Sequence, residues 1–394
     1  MRTPNLRNER GIALVVAVFA LVVIGALVAG TVFVGRLELQ SSQSALFAAE
    51  AQEAAEAGLA NRMEAWDVLV YNDMPYGEEN AIAGGTVSLG GSAEFTDEVY
   101  RFNNNMFVIR STGRRLGSGG VPLAERTVAG FMRLARPTVA VNAAITVTDA
   151  IQFNGNSFHV TGINANPPGW GDCAPVDATN LDDKVGVRSS TNTGVAGGDL
   201  DNVYGSPVPF VGNDPNITSE TFQNFLDYTY NQLISQTQVK VLPLDTPYEF
   251  APVIDTSTDP DSCDRSVLLN MGEPMRDAGS VAECYSYFPV VHGTAERTVM
   301  AANSKGQGTL LIDGDLEIYG GFEWNGIVIV RGSIMIAGTG NKLHGGVLAE
   351  SITQDNMISG DVEIIYSDCA IEKAMKGAAL PMALRTRSYV SVIQ

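Results

Sequence analysis

Hydrophobic and polar residues are segregated most sharply at the start of the chain. Three arginines precede Gly11, and the stretch from Ile12 to Val34 then contains no charged residue and only one polar side chain, that of Thr31. As an α-helix this stretch would be about 35 Å long, which is enough to span a bilayer. The arginines before it favour a cytoplasmic N-terminus. We therefore predict a transmembrane helix over residues 12–34.

The helical pattern does not stop at residue 34. Residues 35–66 are rich in Ala, Glu, Gln and Leu and contain no proline, which favours helix. A cleaved secretory signal fits less well, because its apolar core would be shorter and a cleavage region would follow it. We predict one helix over residues 12–66. The side chains expected to face a folded domain are Leu39, Leu46, Ala49, Ala54, Ala57 and Met63.

Residues 67–137 alternate short apolar runs with turn signals. Strands are predicted at residues 85–91, 92–102, 105–113 and 125–137, with asparagine and glycine clusters in the turns. We expect a small antiparallel sheet that packs on the C-terminal half of the helix.

A six-residue glycine repeat marks the C-terminal part of the chain. Glycine occurs at positions 308, 314, 320, 326, 332 and 338, and β-forming residues alternate between them. This period is typical of a parallel β-solenoid. An antiparallel sandwich is the alternative, but few of these glycines follow the Asn or Asp that hairpin turns favour.

The repeat suggests how the rest of the chain is organised. We assign 138–166 and 301–368 to the solenoid, 167–300 to a loop-rich insertion with a helix at 219–234, and 369–394 to a C-terminal tail. The predicted fold class is α+β: a long N-terminal helix, a small antiparallel sheet and a parallel β-helix.

Several motifs resemble one protein family. The leader RNERG followed by IALVVAVFALVVIGALVAG, and FAAEAQEAAEAGL further on, are similar to the N-terminus of PilX-type minor pilins. The segments STGRR, ANPPGWG and YSDCAIEKA also resemble parts of such proteins. The resemblance therefore extends over most of the chain and is weakest in the insertion.

The resemblance implies a processing site and a set of partners. A prepilin peptidase would cut between Gly11 and Ile12 and methylate Ile12, so residues 1–11 would be a removable leader and the apolar helix would be retained. Other pilins would contact this helix, the inner membrane would hold it before assembly, and a tip adhesin is a further possible partner. The family usually has Glu at the fifth mature position, where this chain has Val16. That departure favours a rare or terminal subunit over a bulk subunit.

Charge and cysteine content narrow the function further. The net charge is −19 and no Lys/Arg cluster follows the leader, so we expect no nucleic-acid partner. The cysteines are Cys173, Cys263, Cys284 and Cys369, without zinc or redox spacing. Export of the domain would favour two disulfides, with free buried thiols as the alternative. The sequence does not determine the pairing. We favour Cys263–Cys284 because the loop is short, which leaves Cys173–Cys369.

Few residues occur in patterns that suggest catalysis, metal binding or sugar binding. Asp313 and Asp315 have the spacing of a carboxylate pair, although Asp beside a turn glycine is usual. The histidines, His159, His292 and His344, are far apart in sequence. The acidic loops at 177–184 and 255–264 offer oxygen ligands for Ca²⁺ but do not match known calcium motifs. Trp66, Trp170 and Trp324 are candidates for sugar stacking or for core packing. We expect no catalysis, no cofactor and no metal.

Together these patterns predict a minor pilin of a type IV pilus. It would be held in the inner membrane with a periplasmic domain and then incorporated into the pilus at low copy or at the tip, where it would prime assembly and present its solenoid for adhesion. Two alternatives stay open: a K-type-like pseudopilin of a type II secretion system, and a membrane-anchored carbohydrate-active β-helix enzyme.

Overall fold

A computed structural model describes residues 9–72, 74–103, 105–176, 182–191, 195–197, 200–208, 211–236, 238–258, 260–350, 356–384 and 389–392. The chain divides into two compact units. Unit 1 comprises Met1–Ala65, Pro75–Arg133 and Ala383–Gln394, and unit 2 comprises Trp66–Met74 and Leu134–Met382. The fold is mixed α+β, with one long helix, an antiparallel sheet and a larger parallel sheet.

The elements of the chain have the following bounds. The α-helices are α1 (Glu9–Glu64), α2 (Val68–Tyr71), α3 (Tyr230–Ile234) and α4 (Asp368–Gly377). The first strands are β1 (Ile82–Ala83), β2 (Val87–Gly90), β3 (Ala93–Arg101), β4 (Met106–Leu116), β5 (Pro122–Ala135), β6 (Ala143–Val147), β7 (Ile151–Asn154), β8 (His159–Thr161) and β9 (Val185–Ser189). The next are β10 (Val195–Ala196), β11 (Val203–Tyr204), β12 (Val211–Asn213), β13 (Asn224–Phe225), β14 (Tyr228–Thr229), β15 (Lys240–Leu242), β16 (Pro247–Tyr248), β17 (Ile254–Asp255) and β18 (Ser262–Cys263). The last are β19 (Val290–Gly293), β20 (Arg297–Met300), β21 (Lys305–Ile312), β22 (Asp315–Tyr319), β23 (Glu323–Val330), β24 (Ile334–Ala349), β25 (Asn356–Tyr366), β26 (Leu380–Ala383) and β27 (Tyr389–Val392).

In unit 1, helix α1 packs against the antiparallel sheet through small residues. Strands β3, β4 and β5 pair in sequence order. The helix face toward them is formed by the buried residues Ala51, Ala54, Ala55 and Gly58. A Cβ added at Gly113 of β4 would collide with the backbone of α1, so helix and strand approach as closely as glycine permits.

The predicted contact stripe on α1 is partly wrong. Leu39, Leu46 and Ala49 are exposed, Ala57 and Met63 are half-buried, and Ala54 alone of the set is buried. Sequence periodicity favoured large apolar side chains, whereas the strand backbone lies so close to the helix that only Ala and Gly fit between them. Leu39 and Leu46 lie before this contact and are exposed, and Leu59 lies against Gly130 of β5.

The parallel sheet of unit 2 follows the glycine repeat. Strand β21 pairs with β23 from Lys305↔Glu323 onward, and β23 pairs with β24 from Glu323↔Lys342 onward. Partners along the sheet are therefore 18 and then 19 residues apart, which is about three of the six-residue periods. Gly308, Gly326 and Gly345 stand in one row and have positive φ angles, so glycine occupies the same position in three neighbouring strands.

The two stretches that we assigned to one solenoid, 138–166 and 301–368, pair with each other in the parallel sheet. Strand β6 lies parallel to β24 through Ile145↔Val347, and β7 and β8 lie parallel to β25 through Phe153↔Ile358 and Val160↔Ile364. The intervening segment 167–300 is also part of the sheet, since β9 pairs with β6 and β19 pairs with β21. These added strands are too short for their alternation to stand out in the sequence.

Two further segments differ from expectation. Residues 219–234 form a 3-10 turn (Ser219–Phe222), the β13–β14 hairpin and helix α3 rather than one helix. Leu226 has a φ of 59° in that hairpin, which interrupts the helical path, and the hydroxyl of Thr229 then caps α3. The segment 369–394, treated above as a tail, contains most of α4 and two strands.

Helix α4 covers one face of the parallel sheet. The hydroxyl of Thr309 donates to the carbonyl oxygen of Ala374, at 3.4 Å, and Ala370, Ala374 and Met375 are buried. Alternating apolar residues in the sequence predicted only one buried face for these strands. With α4 on the other face, β21 and β23 each have a continuous run of buried residues.

The close approach at Gly113 generates a prediction about unit 1. Gly113→Ala would force a methyl group into the backbone of Ala51 and Ala55 and should destabilise unit 1 by about 1–3 kcal/mol. Hydrogen exchange of β4 amides, measured by mass spectrometry, should become faster. Gly85→Ala, where the added methyl group meets no atom within 4 Å, is the matched control. Equal exchange in both variants would contradict the close-packing account.

Candidate functional site

The first half of α1 is an exposed apolar surface. Every residue from 13 to 34, here called the apolar span, is exposed, including Phe19 at 68% and Leu21 at 69%. Its most apolar window has a mean hydropathy of 2.9, and none of that window is buried. The only polar side chain, that of Thr31, donates to the carbonyl oxygen of Val28 at 2.9 Å, so its hydroxyl is satisfied within the helix. The helix is long and apolar enough to cross a membrane.

The predicted processing site lies at the start of this helix. Gly11 and Ile12 have helical backbone within α1, and their surroundings, like residues 1–8 of the leader, lie outside the described residues. Val16, which stands where the resembling family has glutamate, is 59% exposed on the apolar span. It presents a hydrocarbon surface there and no charge.

The second half of α1 is tied to unit 1 by charged side chains. Arg62 forms an ion pair with the buried carboxylate of Asp97, with a second contact at 3.1 Å, and Glu50 pairs with Arg115. Glu56 accepts hydrogen bonds from Gln52 and from the hydroxyl of Tyr389, and these bonds lower the pKa of Glu56. The same helix is therefore fixed at one end and unpartnered at the other.

Two disulfides stabilise unit 2. They join Cys173 to Cys369 and Cys263 to Cys284, which is the pairing that the short loop favoured. The first connects the NPPGWGDC loop to helix α4, although the two cysteines are 196 positions apart in sequence. The two motifs that resembled one family in the C-terminal part of the chain thus meet at one place.

Beside the Cys173–Cys369 disulfide lies a cavity of about 490 Å³, here called the basic pocket. Its charged lining residues are Asp172, Arg276, Lys373 and Lys376, and its apolar walls include Tyr285 and Phe288. Lys373 and Lys376 lie one turn apart on α4. Sequence reasoning missed this site: the motif around Cys369 pointed to α4, but no signal marked Arg276 inside the insertion.

Hydrogen bonds and rings hold the Arg276 side chain in place. Its guanidinium donates to the carbonyl oxygens of Glu273, Met275 and Tyr285, the last at 2.9 Å. It also lies 3.8 Å from the ring centre of Tyr285 and 4.9 Å from that of Trp170. Burial lowers the pKa of Arg276, an effect that the charge of Asp172 partly offsets.

Asp172 and Lys373 form the ion pair at the rim of the basic pocket, with 2.6 Å between Oδ2 and Nζ. Burial alone would raise the pKa of Asp172, but its hydrogen bond and attraction to Lys373 outweigh burial, and the pKa is lowered. Asp172 is therefore ionised at neutral pH, and its side chain is 64% exposed.

The candidate carboxylate pair is divided between two different partners. Asp313 lies 2.9 Å from Nε2 of His292, whereas Asp315 accepts hydrogen bonds from the backbone N–H and the hydroxyl of Ser333. Asp315 thus has the role in a turn that Asp beside glycine usually has. No common substrate position follows from this arrangement.

The structure does not bring the three histidines together. His159 is exposed beside the ring of Tyr204, His292 is buried against Asp313, and His344 is buried in β24.

The three tryptophans are buried. The indole N–H of Trp66 donates to Asn72, that of Trp170 donates to the carbonyl oxygen of Pro274, and Trp324 is 1% exposed. Their faces belong to the core and not to a sugar site.

Neither acidic loop gathers metal ligands among the described residues. Residues 177–181 of the first loop lie outside the described part of the chain. In the second loop, Asp255 accepts hydrogen bonds from Ser257, and Asp264 accepts them from Ser266. Over the described ranges, no group of three His, Cys, Asp or Glu side chains is placed to hold a metal ion.

Comparison with known proteins gives only structural alignments, and the likeness is low. No family model matches the chain, and no curated protein matches it. Among solved structures, the competence-associated pilin ComZ from Thermus thermophilus aligns with 88% of this chain and 98% of its own, at 13% identity and a TM-score of 0.24. At that TM-score the alignment does not establish a shared fold.

His344 predicts a pH dependence of unit 2. Burial, with a smaller contribution from Lys342, lowers the pKa of His344 to about 4, whereas an unfolded histidine titrates near 6.5. Between these values the unfolded chain binds more protons than the folded chain. Stability is therefore fully present above about pH 6.5 and falls as the pH drops toward 4, by up to about 3 kcal/mol.

Urea unfolding at a series of pH values tests this prediction. Tryptophan fluorescence reports on unit 2, because Trp66, Trp170 and Trp324 all lie in it. His344→Gln should have a shallower pH dependence than the unchanged chain over this window. The exposed His159→Gln should not differ from the unchanged chain. A His344→Gln profile parallel to that of the unchanged chain would contradict the assignment.

Proposed function

We propose that this chain is a minor pilin of a type IV pilus. It is held in the inner membrane by the apolar span and later incorporated into a filament at low copy or at its tip. The observation that carries the proposal is the continuity of α1, whose exposed apolar half extends without a break into a half that packs on the sheet of unit 1. The resemblance of the leader and of the FAAEAQEAAEAGL segment to PilX-type minor pilins supports the same conclusion.

The physical reason lies in the surface of the apolar span. Transfer of an exposed Leu, Val or Phe side chain out of water is favourable by about 1.5–3 kcal/mol of free energy. Such a surface is stable in lipid, or against the similar helices of other pilin subunits, and not in solvent. A helix that begins in the membrane and remains attached to a folded unit can exchange one apolar environment for the other without refolding.

The proposed maturation uses Gly11 and Ile12. A prepilin peptidase removes the leader at Gly11 on the cytoplasmic side and methylates the new N-terminus at Ile12. Val16 offers no carboxylate to neutralise the N-terminal amine of a neighbouring subunit, which favours a rare or terminal position. The same feature favours the second candidate, a K-type-like minor pseudopilin of a type II secretion system.

Unit 2 supplies the surface that the subunit would present. We interpret its parallel sheet as a β-solenoid, because strands pair in register at intervals of 18 and 19 residues and one row of glycines crosses them at the same position. The proposed work is adhesion or partner binding, for instance to a tip adhesin, and is mechanical rather than catalytic. The separate partners of Asp313 and Asp315 favour this over a carbohydrate-active enzyme.

Maturation can be tested at Gly11. Gly11→Leu should block cleavage, since the peptidase would no longer meet glycine, and intact-mass spectrometry of the membrane fraction should then show the uncut N-terminus. The native chain should begin at a methylated Ile12. Gly30→Leu, a change of the same kind inside the apolar span, where a Cβ meets nothing within 4 Å, is the control and should mature normally.

Two results would contradict the proposed maturation. One is a native chain that still carries Met1 or that begins beyond Val34. The other is a Gly11→Leu variant that is processed at the native position.

A further inference from the structure

The basic pocket contains a cation without a direct counter-ion. The Arg276 side chain is half-buried, and its guanidinium donates hydrogen bonds to three backbone carbonyl oxygens, which are neutral acceptors. Within the described ranges, no carboxylate lies at ion-pair distance from it, and the more distant charges of Asp172 and Glu273 offset the effect of burial only in part. Removing a cation from water without an anion is costly, and this cost would be offset by a bound negative group.

The charges around the pocket are opposite in sign to the chain as a whole. Lys373 and Lys376 join Arg276 at its lining, and Asp172 is the only acidic residue among the lining residues described. The chain carries a net charge of −19, so this local excess of cations stands out against an acidic protein. Because Nη1 and Nη2 already donate to backbone carbonyls, the guanidinium donors that remain for the paired oxygens of a carboxylate or phosphate group are Nε–H and one N–H of Nη2.

The remaining walls restrict the kind of anion. Phe288 and Val68 contribute apolar surface, and the volume of about 490 Å³ is in the range of small-molecule sites. Gly169, Gly171 and Gly377 keep the walls free of further side chains. A simple inorganic anion would leave most of this space unfilled, whereas an anion with an apolar group would contact both kinds of wall.

We propose that the basic pocket binds a small organic anion, a carboxylate or phosphate monoester with an apolar group, whose charge is held by Arg276 and Lys373. The inference uses residues of unit 2 alone and does not depend on the proposed role in a pilus. It assigns a ligand-binding site to the part of the chain that the six-residue repeat and the Cys173–Cys369 disulfide build.

Isothermal titration calorimetry of the full chain in detergent micelles tests the proposal. The probes are benzoate and phenyl phosphate, with benzyl alcohol as the uncharged counterpart and inorganic phosphate as the anion without an apolar group. We expect saturable binding of benzoate, phenyl phosphate or both, weakened by added salt, and at least about tenfold weaker binding of the other two. Stronger binding by phenyl phosphate would assign a phosphate ligand, and stronger binding by benzoate a carboxylate ligand.

Substitutions of opposite sign locate the site. Arg276→Gln should weaken binding at least tenfold, and Lys373→Gln should weaken it severalfold. Asp172→Asn should strengthen binding severalfold, because it removes the carboxylate that competes for Lys373. The controls are Arg297→Gln and Asp245→Asn, which change the net charge equally in an exposed ion pair of the same unit and should leave affinity unchanged.

Folding of each variant is checked by tryptophan fluorescence. If Arg276→Gln does not fold, Lys373→Gln and Asp172→Asn decide, since their expected effects are opposite. Absence of saturable binding by either aromatic anion at millimolar concentration would overturn the proposal. So would benzyl alcohol binding as tightly as benzoate, or affinities that follow net charge equally in the pocket variants and the controls.

Discussion

The whole molecule depends on one long helix whose two halves face different surroundings. Between residues 13 and 34 the helix offers hydrocarbon on every side, and water opposes that exposure. From Ala51 to Gly58 the same helix is matched to a strand backbone by side chains no larger than a methyl group. The first half therefore requires an apolar environment, and the second half carries a folded unit along with it. Insertion in a membrane and packing against other apolar helices would each remove this surface from water.

The parallel sheet of unit 2 obeys a constraint of a different kind. Stacked strands require equal spacing, and at Gly308, Gly326 and Gly345 the neighbouring backbone leaves no room for a side chain. Helix α4 then covers a face of this sheet, and the Cys173–Cys369 disulfide fastens its first turn to the NPPGWGDC loop. The basic pocket lies where this loop, helix α4 and Arg276 meet.

Features with a strong local pattern could be predicted from the sequence, whereas several features built by distant contacts could not. The apolar helix and the glycine-spaced strands follow from composition and period, which neighbouring residues impose on one another. The expected stripe through Leu39 and Leu46 was wrong because the buried face of the helix begins only at Ala51, where it meets Gly113 of a strand that lies far along the chain. The helix expected at 219–234 is interrupted at Leu226 by a turn that its apolar spacing did not reveal. Arg276 carries no signal in the residue pattern, since its partners are backbone carbonyls, which any residue supplies, and the rings of Tyr285 and the distant Trp170.

Site-specific photocrosslinking in purified filaments tests the central claim most directly. A photoreactive phenylalanine analogue would replace Phe19 on the apolar span, with a second preparation carrying it at the exposed Phe102 of unit 1. The account predicts that sheared filaments contain this chain and that position 19 crosslinks to the N-terminal helix of another pilin subunit, whereas position 102 does not. Filaments that lack the chain, or a position 19 that crosslinks only to lipid in every fraction, would contradict it.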